Sequence, residues 1–244
     1  MRKTTIILAP LVAGLLYQPA LAEVNQAWDL VQEAESRNGV TTWTRKVEGF
    51  TLKAFKGQTE VPYSMLTVLA VIADVERFPD WVFQCEDARL LPEVGDNVAY
   101  VRIKGIWPVS DRDVATETVV TQDPETLSIE LSTTAGDNLY PAQDDAVRIP
   151  ALQNTFTLEP LDDGWTRITF DTFVDPGGYI PGWLANLVAV RAPRDSLNDM
   201  YTLMQEPTYH VTESNQLPDY FPQWQTLEYP NRLKAPGIKD GDAE

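Results

Sequence analysis

Residues 107–113 read Trp-Pro-Val-Ser-Asp-Arg-Asp, a guanidinium set between two carboxylates beside a hydroxyl. Arginine presents a rigid five-donor fork that holds a carboxylate or several carbonyls, so Arg112 is suited to fixing the shape of a loop. Other chemistry is harder to assemble from this chain. Its single histidine, His210, excludes a histidine-dependent triad in the core and the usual histidine-rich metal sites. Cys85 is alone, which excludes an internal disulfide and a cysteine-based metal cluster. No Walker-A loop, Gly-x-Gly-x-x-Gly or Gly-x-Ser-x-Gly elbow occurs. Asp171 paired with another acid would be able to do general acid–base work, but among 36 Asp and Glu most carboxylates read as solvated surface. No catalytic residue, metal ligand or cofactor is assigned.

The segments that flank the turn must position it. Before it, residues 97–106 alternate Val98, Tyr100 or Val101, Ile103 and Ile106 with Arg102 and Lys104; after it, residues 114–121 are rich in β-branched side chains. Both read as strands. Pro108 cannot donate to a ladder, so the pairing breaks at the turn. Period-two patterning covers residues 87–91, 97–106, 112–121, 127–133, 151–160 and 165–174, which predicts an antiparallel meander with a long loop at 136–150. Earlier, Ala27, Leu30, Val31 and Ala34 recur at helical spacing and predict a helix over 25–37. Residues 41–47 and 50–55 predict a hairpin turning at Glu48-Gly49, with a third short strand near Glu60, and Ser64 caps a helix through Ile72. A last helix starts near Pro181 with Trp183, Leu184, Leu187 and Val188, is expected to kink or restart at Pro193, and ends near Gln205.

The turn resembles the Pro-x-x-x-Arg-Asp signature of the START family, the StAR-related lipid-transfer domains. Trp43, Asp80-Trp81, Val147-Arg148-Ile149 and the run from Gly178 to Trp183 match in the same order, over roughly residues 24–205. The resemblance implies an α+β helix-grip fold, in which a curved antiparallel sheet wraps a long C-terminal helix around an apolar tunnel for one lipid. Ligand pockets are mostly apolar with a few orienting polar groups. On that reading Trp81, Tyr100, Trp107, Phe173 and Trp183 supply the wall, and Arg148 and Asn186 the polar contacts. In START-like domains the arginine matching Arg148 also serves to tie a strand to a neighbouring acid. The gate is expected where Pro108 and Val109 face Tyr179, Ile180 and Leu184, bracketed by Gly177-Gly178 and Pro193.

Arg2 and Lys3, an apolar stretch from Ile6 to Leu16 and Ala20-Leu21-Ala22 read as a secretory signal peptide over residues 1–22. The lipid-binding domain is then expected over 23–205 and a Pro-rich tail over 206–244, whose Tyr220, Phe221, Trp224 and Tyr229 are expected to pack on the domain. The expected location is periplasmic or secreted. A net charge of -17 argues against nucleic acid as a partner; the expected partners of this monomer are a lipid and, transiently, a membrane. Two other classes stay open: an enzyme using the same cavity, marked by polar residues deep in the tunnel, and an interaction module whose cavity is filled and whose tail docks a partner.

Overall fold

The computed structural model describes residues 27–50, 52–136, 138–218 and 222–230. Among the described residues nine strands form one antiparallel sheet: β1 (Asp29–Gln32), β2 (Thr41–Arg45), β3 (Ala54–Val61), β4 (Cys85–Leu90), β5 (Val98–Ile103), β6 (Arg112–Gln122), β7 (Ile129–Ala135), β9 (Ala151–Pro160) and β10 (Thr166–Asp175). Their order is β1-β2-β3-β10-β9-β7-β6-β5-β4, and β8 (Val147–Arg148) adds to β6 in parallel. The last helix, α3 (Gly182–Leu203), packs across β2 and β3, and the sheet curves around it. This is the helix-grip architecture. Helix α1 (Met65–Ala73), capped by Ser64 Oγ accepting from the Thr67 amide, buries nearly every residue against the strands; α2 (Phe78–Trp81) leads into β4.

The meander follows from alternation. Along β10, Thr166, Ile168, Phe170 and Thr172 are buried while the residues between them are half-exposed, so one face of the strand belongs to the core. Two expectations near the N-terminus fail. Residues 29–32 form an edge strand paired with β2 instead of a helix, because Leu30 is 57% and Val31 41% exposed: no apolar surface awaits the helical face, and the open sheet edge satisfies the backbone instead. The separate strands expected at 50–55 and near Glu60 are one strand, β3, which starts later and pairs with both β2 and β10. The hairpin turn does contain Gly49 at φ 83°, a left-handed conformation that glycine adopts without strain.

Helix α3 runs without restart through Pro193, and that proline is buried against β3. The approach is close: a Cβ on Gly57 would lie 2.8 Å from Leu197 Cδ1 and 3.0 Å from Pro193 Cβ. After α3 the chain folds back. Tyr209, Leu217, Trp224 and Tyr229 are buried in the main core, Tyr209 Oη donates to Asp74, and Gln122 exchanges two hydrogen bonds with the Glu228 backbone. Residues 207–218 and 222–229 therefore pack over one end of the grip. The expected signal peptide, Tyr220, Phe221 and residues 231–244 lie outside the described residues. Replacing Gly57 with valine should push α3 off the sheet and cost about 1–3 kcal/mol; urea denaturation at wild-type stability would contradict this packing.

Candidate functional site

The space between the inner sheet face and α3 is a cavity of about 300 Å³. Helix α3 contributes Leu184, Val188, Ala192 and Ser196, four residues apart along one face. The sheet contributes alternate residues such as Val101, Ile103 and Val114, with Phe156 and Phe170 deeper; α2 and its neighbours add Phe78 and Trp81. Trp81 packs edge-on against Phe156, and Phe156 stacks on Phe170 at 4.7 Å. Polar lining is sparse and consists mainly of threonine, asparagine and Arg112. Among the described residues no Asp, Glu, His or Cys lines it, and its one lysine, Lys104, is largely exposed at the turn.

One end of the cavity is built by two turns. The turn between β5 and β6 supplies Gly105, Ile106 and Val109, and the turn between β10 and α3 supplies Pro176 and Ile180. Arg112 joins them. Its guanidinium, on a residue only 7% exposed, donates to the Ser110 carbonyl on its own side and to the Pro176 and Gly177 carbonyls across the gap, at 3.3 and 3.4 Å. No carboxylate among the described residues pairs with it; burial lowers its pKa, but a guanidinium stays charged. Asp111 braces the same turn. It accepts from the Gly105 amide at 2.8 Å and from Arg102 at 2.7 Å, which hold its carboxyl below the usual range. Gly177 and Gly178, at φ 65° and 64°, make the second turn in consecutive left-handed conformations.

Comparison with known proteins agrees with this geometry. The family described as polyketide cyclase / dehydrase and lipid transport matches residues 61–201. The chain belongs to this family as a START domain protein. An uncharacterised protein of Pseudomonas aeruginosa is 32% identical, over 80% of this chain and 93% of that one. The phosphatidylcholine transfer protein of Rattus norvegicus is 25% identical over 80% and 90% respectively. The crystal structure of a STAR-related lipid transfer protein from Xanthomonas axonopodis matches with a TM-score of 0.65 at 28% identity, covering 73% of this chain and 99% of that one.

Within the START domain, the residues expected from sequence divide sharply. Trp81, Val109, Ile180 and Leu184 line the cavity. Tyr100 does not. Ala99, Val101 and Ile103 take the inner face of β5, so Tyr100 points outward, buried against Tyr140 at 5.0 Å beneath the Arg89 guanidinium. Phe173 is likewise on the outer face of β10, edge-on to Phe50 at 4.9 Å. Arg148 is a strand tie: it donates to both oxygens of Asp113, at 3.0 and 2.8 Å, an interaction that raises its pKa, and also to the Tyr140 and Pro141 carbonyls. Asn186 lies on the exposed side of α3. Trp107, Tyr179 and Trp183 are 86%, 84% and 55% exposed; with exposed Pro108 they sit beside lining residues Val109, Ile180 and Leu184, outside the cavity at its mouth.

Sequence reasoning assigned Arg112 only to the loop and missed that it also faces the cavity; the signal available was its place on the inner parity of β6 with Val114 and Thr116. Asp113, one residue on, points the other way and is fully buried. Truncating it to alanine should strand the Arg148 charge and cost about 3 kcal/mol, read as a lower denaturation midpoint; an unchanged midpoint would show that the pair holds nothing together.

Proposed function

We propose that this protein binds one lipid in the cavity and carries it between membranes without covalent chemistry. The observation that supports this best is the wall itself, apolar over most of its area, free of Asp, Glu, His and Cys among the described residues, and closed at one end by a buried cation. Each buried methylene gains about 0.8 kcal/mol relative to water, but a bilayer provides nearly the same gain, so extraction is close to balanced and the barrier to release governs the rate. A volume of about 300 Å³ is at the small end of ligand pockets. A single-chain or slim ligand fits it with the least rearrangement, and Arg112 is placed to meet an anionic or strongly accepting head. The phosphatidylcholine transfer protein relative favours a lipid over an aromatic cyclisation substrate.

The mouth is the proposed gate and membrane contact. Indole and phenol rings favour the interface between lipid and water, where one end is apolar and the other wet. Trp107, Tyr179 and Trp183 present three such rings around the two turns that Arg112 ties together. Parting of these turns at a bilayer would open the cavity end-on, with Gly177-Gly178 as the hinge. The net charge of -17 opposes lasting attachment to an anionic surface, consistent with brief contact. The basic and apolar leader read at residues 1–22 supports export, and with it a periplasmic or secreted site of action.

Replacing Trp107 and Tyr179 together with serine should slow transfer of a fluorescent lipid between zwitterionic vesicles roughly tenfold, equivalent to about 1.4 kcal/mol of interfacial contact. Thermal stability should not change. Full-speed transfer by the double variant would contradict the membrane role of the rim, and failure of the parent protein to take up any lipid would contradict carriage.

A further inference from the structure

The cavity floor carries a polar row that an apolar tunnel does not need. Thr118 of β6 stands opposite Thr133 of β7, Thr133 opposite Asn154 of β9, and Asn154 opposite Thr172 of β10. All four line the cavity. The row one step deeper, Val120, Leu131, Phe156 and Phe170, is wholly apolar, and toward the mouth Leu152 faces Val174. On these four strands the polar lining is thus concentrated in one belt, with Thr116 of β6 one step nearer the mouth opposite Ala135.

The belt is only half-satisfied by its own members. Thr118 and Thr133 share one hydrogen bond at 2.9 Å, and the Thr172 hydroxyl donates to Asn154 Oδ1 at 3.2 Å. A hydroxyl offers one donor and two lone pairs, and a carboxamide two donors and an acceptor. One threonine proton and both Asn154 amide protons therefore have no acceptor among the described residues. Trp81, packed on Phe156 in the deeper row, also keeps its buried indole N–H without an acceptor among the described residues. Thr118, Thr133 and Asn154 are half-buried on the cavity wall, so these free donors face the space a ligand would fill.

We infer that the ligand carries a second, uncharged hydrogen-bonding group, a hydroxyl, keto or ester carbonyl, that rests on this belt. The inference rests on the carrier reading above and narrows it to amphiphiles polar at two separated positions. Six residues of β6 separate Thr118 from Arg112, at most about 20 Å along the strand. A head at Arg112 and an inner polar group at the belt are spaced accordingly. An ionised inner group is excluded by the absence of a charged side chain from the belt, because an unpaired charge there would be unsolvated.

The test is equilibrium dialysis of the delipidated full chain against hexadecanoic acid and 16-hydroxyhexadecanoic acid, whose extended chains are of this length. The parent should bind both. Asn154→Leu should weaken the hydroxy acid relative to the plain acid by about tenfold, and Thr133→Val and Thr172→Val, which conserve shape, should shift the ratio the same way. The valine variants decide the matter if the leucine variant does not fold. An affinity ratio that is the same in the parent and the variants overturns the belt's role and leaves carriage standing. Binding of neither acid by the parent overturns both.

Discussion

Arg112 is the interaction on which the rest of this structure depends. A guanidinium buried beside an apolar cavity and lacking a carboxylate is stable only if its donors find carbonyls, and here the carbonyls come from two turns far apart in sequence. Meeting that demand draws the β10–α3 turn onto the β5–β6 turn and so fixes where α3 begins. Its hydrogen-bond acceptors among the described residues are three neutral carbonyls, with the Asp111 carboxylate near but not bonded to it. On the proposed reading, the contact that closes the cavity is the one a ligand head exchanges.

The walls follow from a single register. Inner-face residues of β6, β7, β9 and β10 align in rows, so changes of chemistry along one strand become bands across the sheet. Helix α3 closes those bands from above at a distance set by Gly57, where the backbone of β3 meets Pro193 and Leu197. Cavity size and polarity are thus properties of pairing and of one missing side chain, while the exposed rings of Trp107, Tyr179 and Trp183 stand outside. The tail completes the enclosure by burying Trp224 and Tyr229 in the core shared by sheet and helices, which leaves little of the reading in which those rings dock a partner.

Much of the fold was legible because the meander strands alternate cleanly and their turns are marked; β9 has the predicted bounds, β6 runs one residue longer, and β10 is shifted by one residue at both ends. The N-terminal strand was not, because its apolar spacing imitates a helix that has nothing to pack against. The site was legible where a motif sits at an element boundary, as for Trp81, Val109, Ile180 and Leu184. It was not legible where facing depended on strand parity: a choice between Tyr100 and Val101 is a choice between outside and inside. Ring size misled in the same way, since Trp107 and Trp183 occupy the rim, where large amphipathic rings tolerate water. The polar belt is invisible from sequence, because Thr118, Thr133, Asn154 and Thr172 become neighbours only through pairing across four strands.

The central claim is that the cavity holds a lipid, and native mass spectrometry of the protein purified from its own host tests it most directly. The account predicts one excess mass per chain, released on denaturation as a single class of amphiphile polar at two positions. A protein that is empty as isolated and takes up no lipid from mixed vesicles would contradict it.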